Sequence, residues 1–333
     1  MKRLGISFSW RDKSLGDIVD CCQVAEEAGI ESAWIPEAWG RDAFVALAAV
    51  ANATQRINLA TGIVNVYSRS PAAIAMAAAT LEELSHGRTI LGLGSSGAGV
   101  VERWHGQRFE QPFTRLRESV TIVRQILSGG PVNLEGKVFH VSDFRLAVKP
   151  PSRKIPIYLA ALGPKMLRLA GELADGVLLY LCPLPKIQDA IAEVQKEAEH
   201  AKRSSASPDV AAFLPTVISE RAEQARLNVA KVIAYYVGGM GTYYHRTVSD
   251  SGFKAEADKI RAAWQRGDRV TATKEVPQRL VDSVALTGTP DECRTRLKEF
   301  REAGLTLPVL SVSIEDESAR QAVVDAIKIL AAE

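Results

Sequence analysis

Eight times along its length this chain follows a short apolar run with an amphipathic stretch, and that alternation limits its fold more than any other feature. The apolar runs are Leu4–Phe8, Ser32–Ile35, Ile57–Gly62, Arg88–Leu93, Ile155–Ala160, Gly176–Tyr180, Val210–Ile218 and Leu307–Val312. Each is too short for a helix and too continuously apolar for a strand with one wet face, so each reads as a strand buried on both sides. The stretches between them read as helices. Leu15–Ala28 is closed by Gly29, Ala43–Asn52 follows the second run, and Pro71–Leu84 opens on a proline. Thr114–Leu127, Pro164–Glu172, Lys186–Lys202, Pro290–Ala303 and Ser318–Ala331 continue the series. Strands alternating with helical crossovers imply a parallel sheet, and eight units imply a closed (β/α)8 TIM barrel rather than an open sheet.

Two segments interrupt the repeat. Pro131–Val141, centred on Glu135-Gly136, reads as an inserted β-hairpin. Residues 219–285 form a long helical insertion before the last strand, with breaks near Gly238–Gly241 and Gly267. No low-complexity linker divides the 333 residues, so residues 1–333 are expected to form one domain. The chain carries 41 basic and 39 acidic residues with no basic stripe, which argues against nucleic acid as a partner. Its longest apolar run, Ala72 to Leu81, is too short to cross a bilayer, and the N-terminus lacks the apolar core of a signal peptide. A cytoplasmic protein with four reduced thiols and no metal site is expected, since Cys21, Cys22, Cys182 and Cys293 show no metal-ligand spacing.

In a barrel, function gathers at the C-terminal ends of the strands. Those segments are Ser7–Trp10, Pro36–Gly40, Gly62–Tyr67, Gly94–Ala98, Ala160–Gly163, Tyr180–Pro183 and Thr216. They are rich in small residues and poor in ionisable ones, which suits a planar cofactor that brings its own chemistry. Gly92-Leu93-Gly94-Ser95-Ser96-Gly97 matches a dinucleotide-binding pattern, but it follows the fourth strand and precedes Ala98–Gly106, a poor helix, so a nicotinamide Rossmann reading is disfavoured. Gly163-Pro164-Lys165 opens a helix whose free N–H groups favour phosphate. Glu37 is a candidate acid or base, and Arg69 an anion partner or a surface cap. In the insertion, Tyr235, Tyr236, Tyr243, Tyr244 and His245 are candidate pocket residues, with packing preferred for Tyr235 and Tyr236.

Four stretches in order, AEEAGIESAWIPEAWGRDAFVALAAVANATQRINLATGIVNVYSRSP, TLEELSHGRTILGLG, PIYLAALGPKMLRLAGELADGV and TGTPDECRTRLKEFREAGLTLPVLS, carry a resemblance to a known family. The chain resembles the luciferase-like flavin-dependent oxidoreductases, and within them the branch using coenzyme F-420, an 8-hydroxy-5-deazaflavin, with methylenetetrahydromethanopterin reductase-like proteins nearest. The resemblance implies a barrel, often a homodimer, with the cofactor at the mouth and a small-molecule substrate beside it. It implies a non-proline cis peptide at Gly62-Ile63 behind the flavin ring. It further implies cofactor contacts from Asn65, Gly94, Ser95, Ala160, Ala161, Leu162 and Gly163, with the phosphate at the Gly163–Met166 helix start, including Pro164 and Lys165. Hydride transfer at carbon 5 is the expected chemistry, with Glu37 or Ser7 moving the proton. The alternatives are an FMN-dependent monooxygenase using oxygen and a non-catalytic flavin-binding protein. Two departures from the family pattern stand out: Glu37-Ala38 replaces a common Asp-His pair, and Ser7 stands where the methanopterin reductases have a glutamate.

Overall fold

The computed structural model describes residues 2–9, 11–12, 14–203 and 207–332; Trp10, the end of the first strand-end segment, lies outside them. Twelve strands occur among the described residues. They are β1 (Gly5–Ser7), β2 (Ser32–Ile35), β3 (Asn58–Thr61), β4 (Val64–Asn65), β5 (Thr89–Gly94), β6 (Val132–Glu135), β7 (His140–Phe144), β8 (Ile157–Ala160), β9 (Gly176–Tyr180), β10 (Asp209–Ile218), β11 (Leu286–Gly288) and β12 (Leu307–Ser311). β1, β2, β3, β5, β8, β9, β10 and β12 pair in parallel, each with the next, and β12 pairs back onto β1. The sheet is thus closed into an eight-stranded barrel.

Fourteen α-helices accompany them. The outer ring is α1 (Leu15–Glu27), α2 (Ala43–Ala53), α3 (Pro71–Leu84), α4 (Ala98–Arg103), α5 (Pro112–Leu127), α6 (Pro164–Leu173) and α7 (Leu184–His200). Between β10 and β11 come α8 (Ala222–Gly239), α9 (Tyr243–Val248), a π-helical turn at Ser249–Phe253, α10 (Lys254–Gln265), α11 (Arg269–Lys274) and α12 (Gln278–Val284). α13 (Pro290–Glu302) and α14 (Glu317–Ala331) complete the chain. Their starts have local causes. Ser14, Asp42 and Ser70 accept a backbone N–H from the first turns of α1, α2 and α3, and Thr289 and Glu292 form a reciprocal capping box on α13.

The apolar residues form three clusters, two of them separated by the alternation of side chains along the strands. On β9, Val177 and Leu179 point outward into the shell between barrel and helices, while Leu178 points inward. The inward cluster joins Trp34, Ala60, Ile90, Leu178, Phe213 and Val309, with Trp34 edge-on to Tyr158 and Phe213 at ring separations of 5.4 and 5.6 Å. The third cluster lies inside the 222–285 helices, and Tyr180 at the end of β9 packs on both it and the barrel interior.

Three details differ from the sequence reading. The segment after β5 does form a helix, Ala98–Arg103, because burial of Val100 and Val101 outweighs their weak helix propensity and Gly106 falls beyond its end. The hairpin reaches Phe144, through an irregular register between Val132 and Leu134. The short strand β11, too brief to show a period, extends the edge of β10 at Thr216–Ile218.

Candidate functional site

One cavity of about 2120 Å³ opens at the C-terminal ends of the strands. Its floor and one side come from β3, β5 and β8. Gly62 and Ile63 are joined by a cis peptide, and both line the cavity. A Cβ on Gly62 would stand 2.8 Å from the Phe213 ring, so this residue must be glycine to rest on the barrel interior. Gly94 faces Ile63 and Ala160: a Cβ there would lie 3.1 Å from Ile63 Cδ1 and 3.2 Å from Ala160 Cβ. The glycine pattern on β5 therefore has a packing cause. A Cβ on Gly92 would overlap the Thr61 carbonyl, and Thr61 Oγ1 both donates to Gly92 O and accepts from Gly92 N at 2.8 Å. This is the neck of a closed barrel, not a dinucleotide fingerprint.

Ser95 and the run Ala160-Ala161-Leu162-Gly163 continue the wall. Gly163 is the N-cap of α6 and supplies no side-chain cap, and a Cβ on it would meet open space. Pro164, Lys165 and Met166 also line the cavity, so an uncapped helix start opens into it. Asn65 and Gly94 are not part of the wall itself; they pair in register between β4 and β5. Asn65 is 2% exposed, its Oδ1 accepts the Tyr67 N–H, and its Nδ2 has no partner among the described residues. A wall of glycines and mostly small side chains, an orphaned buried amide beside it and an uncapped helix start are the features a flat, phosphorylated cofactor would use.

Ser7 and Glu37 stand on the same wall. Ser7 is 3% exposed at the end of β1. The Glu37 carboxylate is held: Arg69 donates from Nε at 3.2 Å and from Nη2 at 3.0 Å, and Ala43 N donates at 3.1 Å. Arg69 also pairs with Asp42, so its role here is to fix acidic side chains of the chain itself. Cys182 lines the cavity too, and burial pushes its thiol up to about 12, which keeps it protonated and inert.

The opposite wall is aromatic. Five of the chain's seven tyrosines line the cavity: Tyr180, Tyr235, Tyr236, Tyr243 and Tyr244. Tyr235 and Tyr236 pack as expected but also face the cavity, which the packing preference missed. His245 is not on the wall; its Nε2 lies 3.0 Å from Asp258 Oδ1. Trp39 and Trp264 join the wall, and Trp264 had no signal in the sequence beyond its residue type. The break read near Gly238–Gly241 is where α8 ends, at Gly239, with Gly241 at positive φ before α9, and Gly238 and Gly239 also make room for that ring: Cβ atoms there would lie 2.5 and 2.7 Å from Trp264. Trp104, next to the pocket but not on its wall, packs on Trp39 at 4.2 Å.

No helix among the described residues is long and apolar enough to cross a membrane, and they contain no cluster of metal-ligating side chains. Residues 3–307 match the family model described as luciferase-like monooxygenase. The chain is 33% identical over 335 residues to a Mycobacterium tuberculosis protein provisionally named a coenzyme F-420-dependent oxidoreductase, covering 95% of this chain and 96% of that one. It is 33% identical over 287 residues to the 5,10-methylenetetrahydromethanopterin reductase of Archaeoglobus fulgidus, covering 85% and 86%. The solved coenzyme F-420-dependent tetrahydromethanopterin reductase of Methanopyrus kandleri superposes with a TM-score of 0.84 at 29% identity, covering 99% of this chain and 97% of that one. By sequence over nearly its whole length, and by a barrel closed in the same way, this chain belongs to the luciferase-like monooxygenase family.

Proposed function

We propose that this chain is a coenzyme F-420-dependent oxidoreductase that moves a hydride between the deazaflavin and a small organic substrate at the mouth of the barrel. The observation that carries the reading is the wall of Gly62, Ile63, Ser95 and Ala160–Gly163, made of glycines and small side chains apart from Ile63 and Leu162, with Gly94 packed behind Ile63, sharing one cavity with the uncapped start of α6. The names of its relatives support the deazaflavin over FMN. When bound, the deazaflavin supplies a hydride donor or acceptor at carbon 5 that reacts poorly with oxygen. In this reading Gly62 and Ile63 back the ring, Asn65 Nδ2 finds its missing acceptor there, and Ser95 and Ala160–Gly163 border it. Gly163–Met166 takes the phosphate, with Lys165 adding charge.

The protein's own contribution is then positioning and proton handling. Ser7, buried on the wall with a hydroxyl, is the group we assign first to a proton or hydrogen bond at the substrate. Glu37 comes second, because Arg69 and Ala43 hold both of its oxygens. The test is a fluorescence titration of the purified chain with coenzyme F-420 and, separately, FMN. Tight binding of the deazaflavin with weak FMN binding is the expected result; the reverse preference would make it an oxygen-using monooxygenase. Bound coenzyme that never turns over with any electrophile would leave a non-catalytic carrier. We extend the reading to a cytoplasmic homodimer, for which the same sample in sedimentation equilibrium should show twice the chain mass of 36.1 kDa.

A further inference from the structure

The rings on the far wall of the cavity do not form an ordinary core. They join edge to face into one strip running from the rim to the end of β9. Trp39 meets Tyr235 at 6.5 Å, Tyr235 meets Tyr236 at 5.3 Å, and Tyr236 meets Tyr180 at 4.9 Å. Trp264 flanks the strip, 5.7 Å from Tyr235. A strip that served only to pack the 222–285 helices would be buried. Instead Trp39, on the cavity wall, is 37% exposed. Apolar ring surface left wet inside a concave site marks a ligand surface.

Two cations beside the strip lie over its rings. Arg11 lies 5.6 Å over Tyr235, and Arg269 lies 3.5 Å over Trp264 while donating to the Trp264 carbonyl at 2.6 Å. Their guanidinium groups extend the aromatic surface. Interplanar angles between 52° and 88° along the strip present alternating faces and edges, the arrangement in which a further ring finds an offset or edge-on partner.

Resting on the cofactor reading above, we infer that the substrate carries a planar ring with an extended, aromatic-type conjugated system, held against Trp39, Tyr235 and Trp264. A phosphorylated sugar or a small aliphatic alcohol leaves that surface wet. A conjugated ring covers it and lies across the mouth from the wall of Gly62, Ile63 and Ala160.

The experiment is calorimetric titration with coumarin, cyclohex-2-enone and glucose 6-phosphate, on the chain alone and on the chain saturated with coenzyme F-420. Coumarin should bind on the order of tenfold tighter than cyclohex-2-enone, with glucose 6-phosphate the weakest. Trp39→Ala should weaken coumarin about two- to tenfold while coenzyme F-420 binds as before, and Trp39→Phe should restore most of the loss. Equal affinity for the two carbonyl compounds, or a preference for glucose 6-phosphate, overturns the inference. So does a Trp39→Ala variant that keeps its coumarin affinity and changes only its sedimentation, because the strip is then a contact between copies. If coenzyme F-420 fails to bind while coumarin binding still depends on Trp39, the ring site stands and the cofactor assignment falls.

Discussion

At the N-terminal end of the strands, Arg3 grips Glu31 through Nε and Nη2 at 2.7 and 2.8 Å and Asp209 through Nη1 and Nη2 at 2.6 and 2.9 Å. Asp209 also accepts from the Tyr158 hydroxyl at 2.5 Å. Nearby, the buried Arg88 guanidinium makes five hydrogen bonds to Ser85 O, Thr54 Oγ1, Ile57 O, Ala51 O and Thr54 O. At the C-terminal end, the mouth has a shelf of mostly small residues, the orphaned Asn65 amide and wet rings. The acids differ in the same way. Burial alone would raise Asp209 and Asp175, but Arg3 and Tyr158 in one case, and Lys154, Ile157 N and Arg124 in the other, hold both below the usual carboxylate range. At the mouth, burial pushes Asp12 up, and hydrogen bonds from Ile314 N, Ser313 and Ser9 N only partly offset it. The N-terminal end ties these groups into networks that hold the fold, whereas the C-terminal end leaves the Asn65 amide and its ring surface open to a ligand.

That contrast breaks first, and most strongly, at Asp209. Asp209→Ala strands Arg3 and leaves the Tyr158 hydroxyl, on a residue 3% exposed, without its acceptor. Because Arg3 is 40% exposed the loss falls below that of a fully buried pair, at about 2–4 kcal/mol in chemical denaturation. Coenzyme affinity measured on the variant should be unchanged; a parallel drop in affinity would show that the two ends are coupled. The converse test is Gly94→Val, which crowds Ile63 and Ala160 on the wall. Its expected effect is a loss of coenzyme affinity of about tenfold or more, with a change in stability of about 1–2 kcal/mol from the tight contacts.

The smallest effect is in acid. Asp209 and Asp175, with folded pKa values below the unfolded value of about 4, stabilise the fold above that value and lose the contribution as pH falls through their folded values. Asp12, raised in the fold, opposes this: its contribution is present at low pH and lost as pH rises. Denaturation followed between about pH 6 and pH 3 should therefore show stability falling below about pH 4. The fall should flatten in Asp175→Asn. Asp12→Asn should instead change the profile above about pH 4, where the raised Asp12 makes stability decline as pH rises, and a profile there equal to that of the unaltered chain would remove the distinction between the two ends.

Much of this architecture was legible in the residues. The bounds of β2, α3 and β9 agree with the sequence reading to the residue, because a doubly buried strand is a clean apolar run and Pro71 marks its helix start unambiguously. The three-residue β11 and the six-residue α4 were not, since neither carries a clean apolar run or a full amphipathic period that would reveal it. For the site, the glycines and small residues of the shelf could be read from their strand ends. The aromatic strip could not: positions 39, 104, 180, 235, 236 and 264 meet only because the barrel closes and the helices after β10 fold back over its rim. The occupation of Glu37 was equally hidden, as its partner Arg69 lies 32 positions on.

Tyr180 touches both the barrel interior and the helices after β10, and it is the point where two lineages of sequence change can be separated. Shelf and helix start are written in β3, β4, β5, β8 and α6; most of the aromatic strip is written in residues 235–264. Exchanging the second stretch for that of a relative, with Tyr180 kept as the hinge pin of the graft, alters which compound is chosen without rewriting how the coenzyme is seated. A scaffold divided in this way diversifies by swapping a cassette rather than by redesigning a pocket.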